Sequence, residues 1–328
     1  MGGDTGKRVT IGLPVRNGEN YLGEALDSIT AQTHENLLVI ISDNASTDRT
    51  EDICRNYADS DPRIVYHRLE ENIGGANNFN RVFNLSNSPY FKWACHDDVI
   101  APNFLESCLA VLEEEPSVVL CASRTDRIDD EGRVTGTYEH RMRLGSDKPH
   151  VRFGDLLDMD HPVWPIFGVF RSEVLAKTPL IASYVGSDRN LLAEVGLRGR
   201  IHELAEPLFF RRDHPGASTR VFRKHSNGLK KHDERLEWFD PSSSVKVLLP
   251  YWRRCREYRA SVVRTPLPWA EKIRCYLAIG SWLRKEGLRL MASDLERRFL
   301  RTTEPGRRIA DLFKLLMRHT LVHQEVSL

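Results

Sequence analysis

Leu37-Leu38-Val39-Ile40-Ile41-Ser42-Asp43-Asn44-Ala45-Ser46-Thr47-Asp48 is the stretch that decides the fold. Five apolar residues in an unbroken row mark a strand covered on both faces, and the polar run behind them offers Ser46 or Thr47 to cap a helix. That helix turns Ile53, Tyr57 and Ala58 inward. The same unit recurs on either side. Val9 to Leu13 is a short β-branched strand stopped by Pro14, and Tyr21, Leu22, Ala25, Leu26 and Ile29 follow at helical spacing. Arg63 to His67 reads as a third strand, Gly74-Gly75 opens a helix carrying Phe79, Val82 and Phe83, and Tyr90 to Cys95 reads as a fourth strand. Strict alternation of this kind predicts an α/β chain with a Rossmann-like, mostly parallel sheet and helices on both faces.

Further on, Pro102 starts a helix that buries Phe104, Leu105, Cys108, Leu109 and Leu112, and Val118 to Ala122 forms a fifth strand. Asp129-Asp130-Glu131-Gly132 is a turn, and Gly136 to Asp160 shows no clear period. Order returns at Val163 to Phe170, in a helix from Ser187 through Leu197, and in two strand-like pieces, Arg200 to Leu204 and Pro207 to Arg211. A boundary is expected near Asp240-Pro241-Ser242-Ser243-Ser244, dividing the chain into 1–240 and a helical region over 241–328.

The 328 residues carry a formal net charge of +1, so the basic footprint of a dedicated nucleic-acid binder is missing. Charge is nonetheless segregated: Pro250 to Arg318 holds seventeen Lys or Arg against seven Asp or Glu. Cys54, Cys95, Cys108, Cys121, Cys255 and Cys275 show neither a C-x-x-C pair nor a zinc spacing and read as reduced thiols. The polar start of the chain and the lack of any long uncharged run predict a cytoplasmic protein, peripheral at the inner face of a membrane if it meets one.

In an open parallel sheet the ligand lies across the carboxyl ends of the strands. Three polar clusters fall there: Pro14-Val15-Arg16-Asn17, Asp43-Asn44-Ala45-Ser46 and His96-Asp97-Asp98. No G-x-G-x-x-G follows the first strand and no P-loop motif occurs, so dinucleotide and P-loop readings are unsupported. Adjacent Asp97 and Asp98 repel each other unless a cation sits between them, and hard oxygen ligands suit Mg²⁺ or Mn²⁺ bound together with substrate phosphates. Asp43 can accept from a pyrimidine N–H or a ribose hydroxyl; an Asx turn accounts for it equally well.

Taken together and in order, these segments resemble the family 2 glycosyltransferases of the GT-A fold, over roughly Val9 to Ala217. Ile11-Gly12-Leu13-Pro14-Val15-Arg16-Asn17 looks like the family's opening strand and loop. Ile40 to Asp48 is similar to its V-D-D-x-S-x-D segment, Asn72-Ile73-Gly74-Gly75 with Asn78 and Asn80 to its N-x-G stretch, and His96-Asp97-Asp98 stands at its DXD position. The resemblance implies that Pro14, Arg16, Asn17 and Asp43 lie along the nucleoside, with Asn72 and Asn78 beside the base. Asp97 falls near ribose or metal, and Asp98 on a Mg²⁺ or Mn²⁺ bridging the diphosphate. Phe210 to Gly216 resembles the basic closing region, placing Arg212 at the diphosphate and making His214 a metal or phosphate ligand or else a structural histidine. Gly186-Ser187-Asp188 fits the helix start that carries the catalytic base, Asp188, with Glu194 and Asp213 the next candidates. Two departures stand out: Arg16 replaces a common aromatic residue, and Cys95-His96 occupy the place of a first acid.

The implied activity is inverting transfer of a sugar from a nucleoside diphosphate sugar, a UDP-sugar by expectation, to a hydroxyl of a polysaccharide, glycan or lipid-linked saccharide. The alternatives are a sugar-nucleotide pyrophosphorylase-like enzyme and a non-catalytic nucleotide-sugar binder. The pyrophosphorylases carry a Gly-rich loop with Arg and Lys after the first strand, which Pro14-Val15-Arg16-Asn17-Gly18 does not resemble. After Pro250, Trp252, Tyr258, Trp269, Tyr276, Trp282 and Phe299 are interleaved with Arg and Lys. That pattern fits either a basic surface on an anionic membrane or a helical subdomain packed on the catalytic core.

Overall fold

The computed structural model describes residues 7–138, 141–158, 161–217, 238–239, 241 and 249–295. Strand and helix alternate through the first part: β1 (Val9–Val15), α1 (Leu22–Thr30), β2 (Leu37–Asp43), α2 (Thr50–Ser60), β3 (Ile64–Arg68), α3 (Gly75–Asn84) and β4 (Tyr90–Trp93). There follow β5 (Val99–Ile100), α4 (Phe104–Glu114), β6 (Val118–Ile128), β7 (Val134–Tyr138), α5 (Pro149–Leu157), β8 (Val169–Arg171), α6 (Ser172–Leu175), α7 (Ser187–Arg198) and β9 (Arg200–Arg212). The last described helices are α8 (Pro250–Arg264), α9 (Trp269–Trp282) and α10 (Leu288–Leu295), the latter two joined by one π-helical turn.

The sheet runs β3-β2-β1-β4-β8-β6-β9-β5, with β7 paired to β6 beside this path. The strands β3, β2, β1 and β4 are parallel neighbours, β8 lies antiparallel between β4 and β6, and β9 runs parallel to β6. Short β5 and β7 run antiparallel to β9 and β6. The expected mostly parallel α/β sheet is therefore present. Val9, Ile11, Leu13 and Val15 of β1 pack with α1 and α4 in one apolar core, while α3, α5, α7, α8 and α9 close a second around Trp93, Phe170 and Tyr258. Gly12 lets α3 approach this closely, because a Cβ there would lie 2.6 Å from the Val82 side chain.

Several expected boundaries move, each for a local reason. Pro14 does not stop β1, which continues to Val15. The Gly12 carbonyl bonds toward β4 and the Val15 carbonyl toward β2, so Pro14 points to the β4 side just where that ladder has ended, and its missing N–H costs nothing. Neither Ser46 nor Thr47 caps α2, which starts at Thr50. Asp48 Oδ1 accepts the Thr50 N–H (3.1 Å) instead. The unpatterned Gly136 to Asp160 contains both β7 and α5, and the two strand pieces after Arg200 are one strand, β9, whose pairing with β6 shifts register near Ser123 to Thr125. Of the expected domain boundary, Asp240 and residues 242–248 lie outside the described residues, as does everything after Leu295, Phe299 included.

The C-terminal helices are not a separate layer. Tyr258, Val262, Cys275, Ile279 and Trp282 belong to the same core as α5 and α7. At its centre, Glu194 of α7, 1% exposed, accepts from Arg198 (2.6 Å), from Arg264 of α8 (2.6 Å) and from Ser261 (2.9 Å). This network withdraws Glu194 from any role as a base. Glu194→Ala strands buried donors with no acceptor and is expected to lower unfolding stability by about 3–5 kcal/mol, read by denaturant titration. A loss below about 1 kcal/mol would mean that α8 is not locked to α7.

Candidate active site

The carboxyl end of β4 organises the site. The last ladder bond is Ala94 N–H to the Gly12 carbonyl, after which Cys95, His96, Asp97 and Asp98 leave the sheet. The next residues, β5, pair with β9 and bring Asp98 against Arg212, whose backbone N–H donates to Asp98 Oδ1 (3.0 Å). Donor atoms of Cys95, Asp97 and Asp98 all lie within 4.8 Å of one another. Among the described residues this is the group able to hold a metal ion. His214, expected as a metal or phosphate ligand or else a structural histidine, lies beside this group: its Nε2 hydrogen-bonds Asp97 Oδ2 (3.0 Å) and its ring packs on Tyr21, with centroids 4.7 Å apart.

The two carboxyls are unlike. Burial, then the charge of Asp97, push Asp98 up to about 8. Burial also opposes charge on Asp97, but the His214 hydrogen bond and the imidazole of His96 hold it below the usual carboxylate range. Beneath them Lys92, 1% exposed, donates to the Trp93 and Phe167 carbonyls (3.2 and 2.5 Å) and lies over the rings of Phe104 and Phe209. Burial pushes this ammonium down to about 8, against the pull of Cys108, Cys95 and Asp98. Asp98, desolvated and set beside the ionised Asp97, fits a divalent cation.

Arg212 is buried within the site. It is 1% exposed, and its guanidinium donates to the carbonyls of Asp97, Asp129 and Asp130 and to Glu24 of α1, while stacking 4.7 Å over Tyr21. Each of these guanidinium bonds goes from Arg212, expected at a diphosphate, to a protein group. Arg212 ties the carboxylate loop to α1 and to the turn after β6.

The nucleoside-side residues form a second group. Asp43 is fully buried; Oδ1 accepts the Ser46 N–H (2.9 Å) and Oδ2 the Tyr66 hydroxyl (2.8 Å). The Asx turn is thus realised, and the carboxylate offers no exposed edge, because local donors satisfy it. Asn72 Oδ1 accepts from Asn44 (2.8 Å) and from the Gly74 N–H (2.9 Å), and Asn78, 2% exposed, donates to the Ser42 carbonyl (2.8 Å). Asn17, at φ 54°, accepts the Thr47 N–H (2.9 Å) and so joins the loops after β1 and β2. Pro14 is buried in its strand, and Arg16 and Asn17 are exposed at the rim. His96 packs on Gly18, where a Cβ would come within 2.8 Å of the ring.

Asp188 belongs to a third group, in the first turn of α7, where its Oδ1 accepts the Arg189 N–H (2.9 Å). Gly186 begins this helix at φ 87°, a conformation that favours glycine. A Cβ there would also meet the Arg254 guanidinium at 1.8 Å, so a residue of α8 reaches the start of α7. Arg189 donates to the His161 carbonyl (2.6 Å), and Tyr184 to Asn190 (2.8 Å). Sequence reasoning missed Cys95 as a possible ligand and Lys92, Glu24, Tyr21 and Arg254 as neighbours. Cys95 was legible as a soft donor two residues before an acid; the others lie too far along the chain to signal themselves. Asp213 pairs with Arg211 (3.5 Å).

Comparison with known proteins fits this arrangement. The description Glycosyl transferase family 2 matches residues 10–174. An uncharacterized glycosyltransferase of Rickettsia prowazekii is 36% identical over 152 residues, 45% of this chain and 46% of that one. The chain thus spans about half the length of these curated relatives. An uncharacterized glycosyltransferase of Haemophilus influenzae is 24% identical over 67% of this chain and 69% of its own. Among solved structures, residues 1–349 of S. aureus TarS with UDP-GlcNAc superpose at a TM-score of 0.62 and 16% identity, covering 88% of this chain and 81% of that one. Mannosyltransferase PcManGT of Pyrobaculum calidifontis, bound to GDP-Man and Mn²⁺, gives 0.50 and 16%, over 94% and 80%. At such identity the likeness speaks for a GT-A-like fold.

Proposed function

The chain belongs to glycosyl transferase family 2, and we propose that it moves a sugar from a nucleoside diphosphate sugar to a hydroxyl of a saccharide or lipid-linked acceptor, with inversion. The observation that carries the reading is the desolvated carboxylate pair, Asp97 and Asp98, beside Cys95 at the end of β4. The two carboxylates would hold Mg²⁺ or Mn²⁺, which would supply positive charge against the leaving diphosphate. A UDP-sugar is the first donor to test, since TarS binds UDP-GlcNAc, and a GDP-sugar the second.

In this reading Arg16 and Asn17 meet the nucleoside at the rim, while Asp43, Asn72 and Asn78 act by shaping the loops on which it rests. Arg212 and His214 hold the carboxylates in place. The acceptor oxygen bonds to the anomeric carbon as the bond from that carbon to the phosphate oxygen breaks. The hydroxyl proton passes to Asp188, and the electron pair leaves on the nucleoside diphosphate. Residues 1–240 are assigned to this catalytic unit and 241–328 to a second, basic region, whose described helices α8 and α9 share a core with α5 and α7.

Thermal stabilisation by a panel of nucleotide sugars tests the reading. A cognate donor at a hundred times its dissociation constant is expected to add about 2.7 kcal/mol, and only with Mn²⁺ or Mg²⁺ present. Because the Asp98 proton competes for the site below about pH 8, the metal-dependent gain is expected to grow from pH 6 to pH 8. Equal stabilisation in excess EDTA would remove the metal from the reading. Stabilisation without hydrolysis or transfer under any condition would favour a binding protein.

A further inference from the structure

Helix α9 is apolar on two opposite faces. Cys275, Ile279 and Trp282 point into the core and are 0, 3 and 4% exposed. On the far side Trp269, Ile273, Tyr276 and Leu277, at i, i+4, i+7 and i+8, are 76, 47, 40 and 66% exposed. Val263, 65% exposed at the end of α8, is tied alongside by the Lys272 ammonium, which donates to its carbonyl (3.3 Å). Lone exposed apolar residues need no explanation, but a row along one helix face does. Lys272 and Arg274 flank the row at helical spacing, Arg274 in an exposed pair with Glu271 (2.5 Å).

We propose that this face of α9 is a docking surface for an anionic membrane, with Trp269, Ile273, Tyr276 and Leu277 entering the headgroup boundary and the surrounding arginines and lysines meeting lipid phosphates. Charge selects this occupant. Residues 249–295 contain ten Lys or Arg against four Asp or Glu. Arg254 is buried and Arg264 is held by Glu194, yet the remaining charges leave the segment basic, so two copies repel each other, whereas an anionic leaflet gains with each cation brought near it. The row is also small for a partner subunit, since stable interfaces use about 20–30 residues a side. Trp and Tyr beside apolar side chains and cations suit the interface between lipid and water. No described helix is long and apolar enough to cross a membrane, so the contact is peripheral. The inference goes beyond the transfer reading and does not depend on it.

Co-sedimentation of the full chain with vesicles tests this directly. Vesicles of about 30% phosphatidylglycerol in phosphatidylcholine should carry the protein down at low salt, pure phosphatidylcholine far less, and raised salt should release it as the Debye length shrinks from about 10 Å at 0.1 M. The double variant Trp269→Glu, Leu277→Glu should lose ~10-fold or more of the binding. Its thermal midpoint should not change, because both side chains are exposed. Trp269→Phe with Leu277→Ile should bind as the parent does. Three results would overturn the proposal: no sedimentation at low salt, undiminished binding by the Glu variant, or a protein that self-associates without lipid and becomes monomeric in that variant.

Discussion

Asp98→Asn is expected to reduce sugar transfer by about 10³-fold or more, since in the proposed mechanism several kcal/mol of charge stabilisation at the leaving diphosphate depend on that carboxylate and each 1.36 kcal/mol is tenfold. The protein should stay folded, and the pH dependence of its stability gives an independent readout. Asp98 is pushed up to about 8 by burial and by Asp97, so between the ordinary carboxylate range and pH 8 the folded state binds more protons than the unfolded. Stability of the metal-free protein therefore falls as pH rises through that window, and the full cost is reached above about pH 8. The Asn variant cannot ionise. It should lose this slope and, at alkaline pH without metal, melt no lower than the parent. Thermal scans at a series of pH values with EDTA check this; a variant that retains the slope would place the perturbed group elsewhere.

Asp188→Asn should behave differently. Donor and metal binding should persist while turnover falls roughly 10²–10⁴-fold, the range for a positioned proton acceptor. Calorimetric titration with donor and Mn²⁺ separates binding from chemistry. Transfer within a few-fold of the parent would move the base from Asp188. Glu194 would not replace it, because Arg198, Arg264 and Ser261 already occupy its carboxylate. A product retaining the donor's anomeric configuration would reject single displacement itself.

The fold class was legible because its signals are short-range. An apolar run such as Leu37 to Ile41 and the inward residues of α1 and α4 reveal period and burial within a dozen residues. The acidic cluster after β4 was legible for the same reason, since two adjacent carboxylates at a strand end carry their own electrostatic message. The helix start at Gly186 to Asp188 was equally local. Where the pattern was irregular, as in α5 and the shifted register of β9, packing against α7 and β6 decided the element.

What each polar residue does was decided by tertiary structure alone. Asp43, Asn72 and Asn78 read as ligand contacts along the chain, yet buried backbone groups from Ser46, Gly74 and Ser42 claim them first. Arg212 and His214 meet the carboxylates across more than a hundred residues, one through its backbone N–H and the other through its ring. The basic end of the chain read equally as membrane surface or packed subdomain, and α9 packs one face into the core while leaving the other exposed. The physical reason is the same in each case. Periodicity and charge are properties of neighbours in sequence, whereas the cost of an unpaired buried donor or acceptor is set by whatever the fold brings within 3 Å of it.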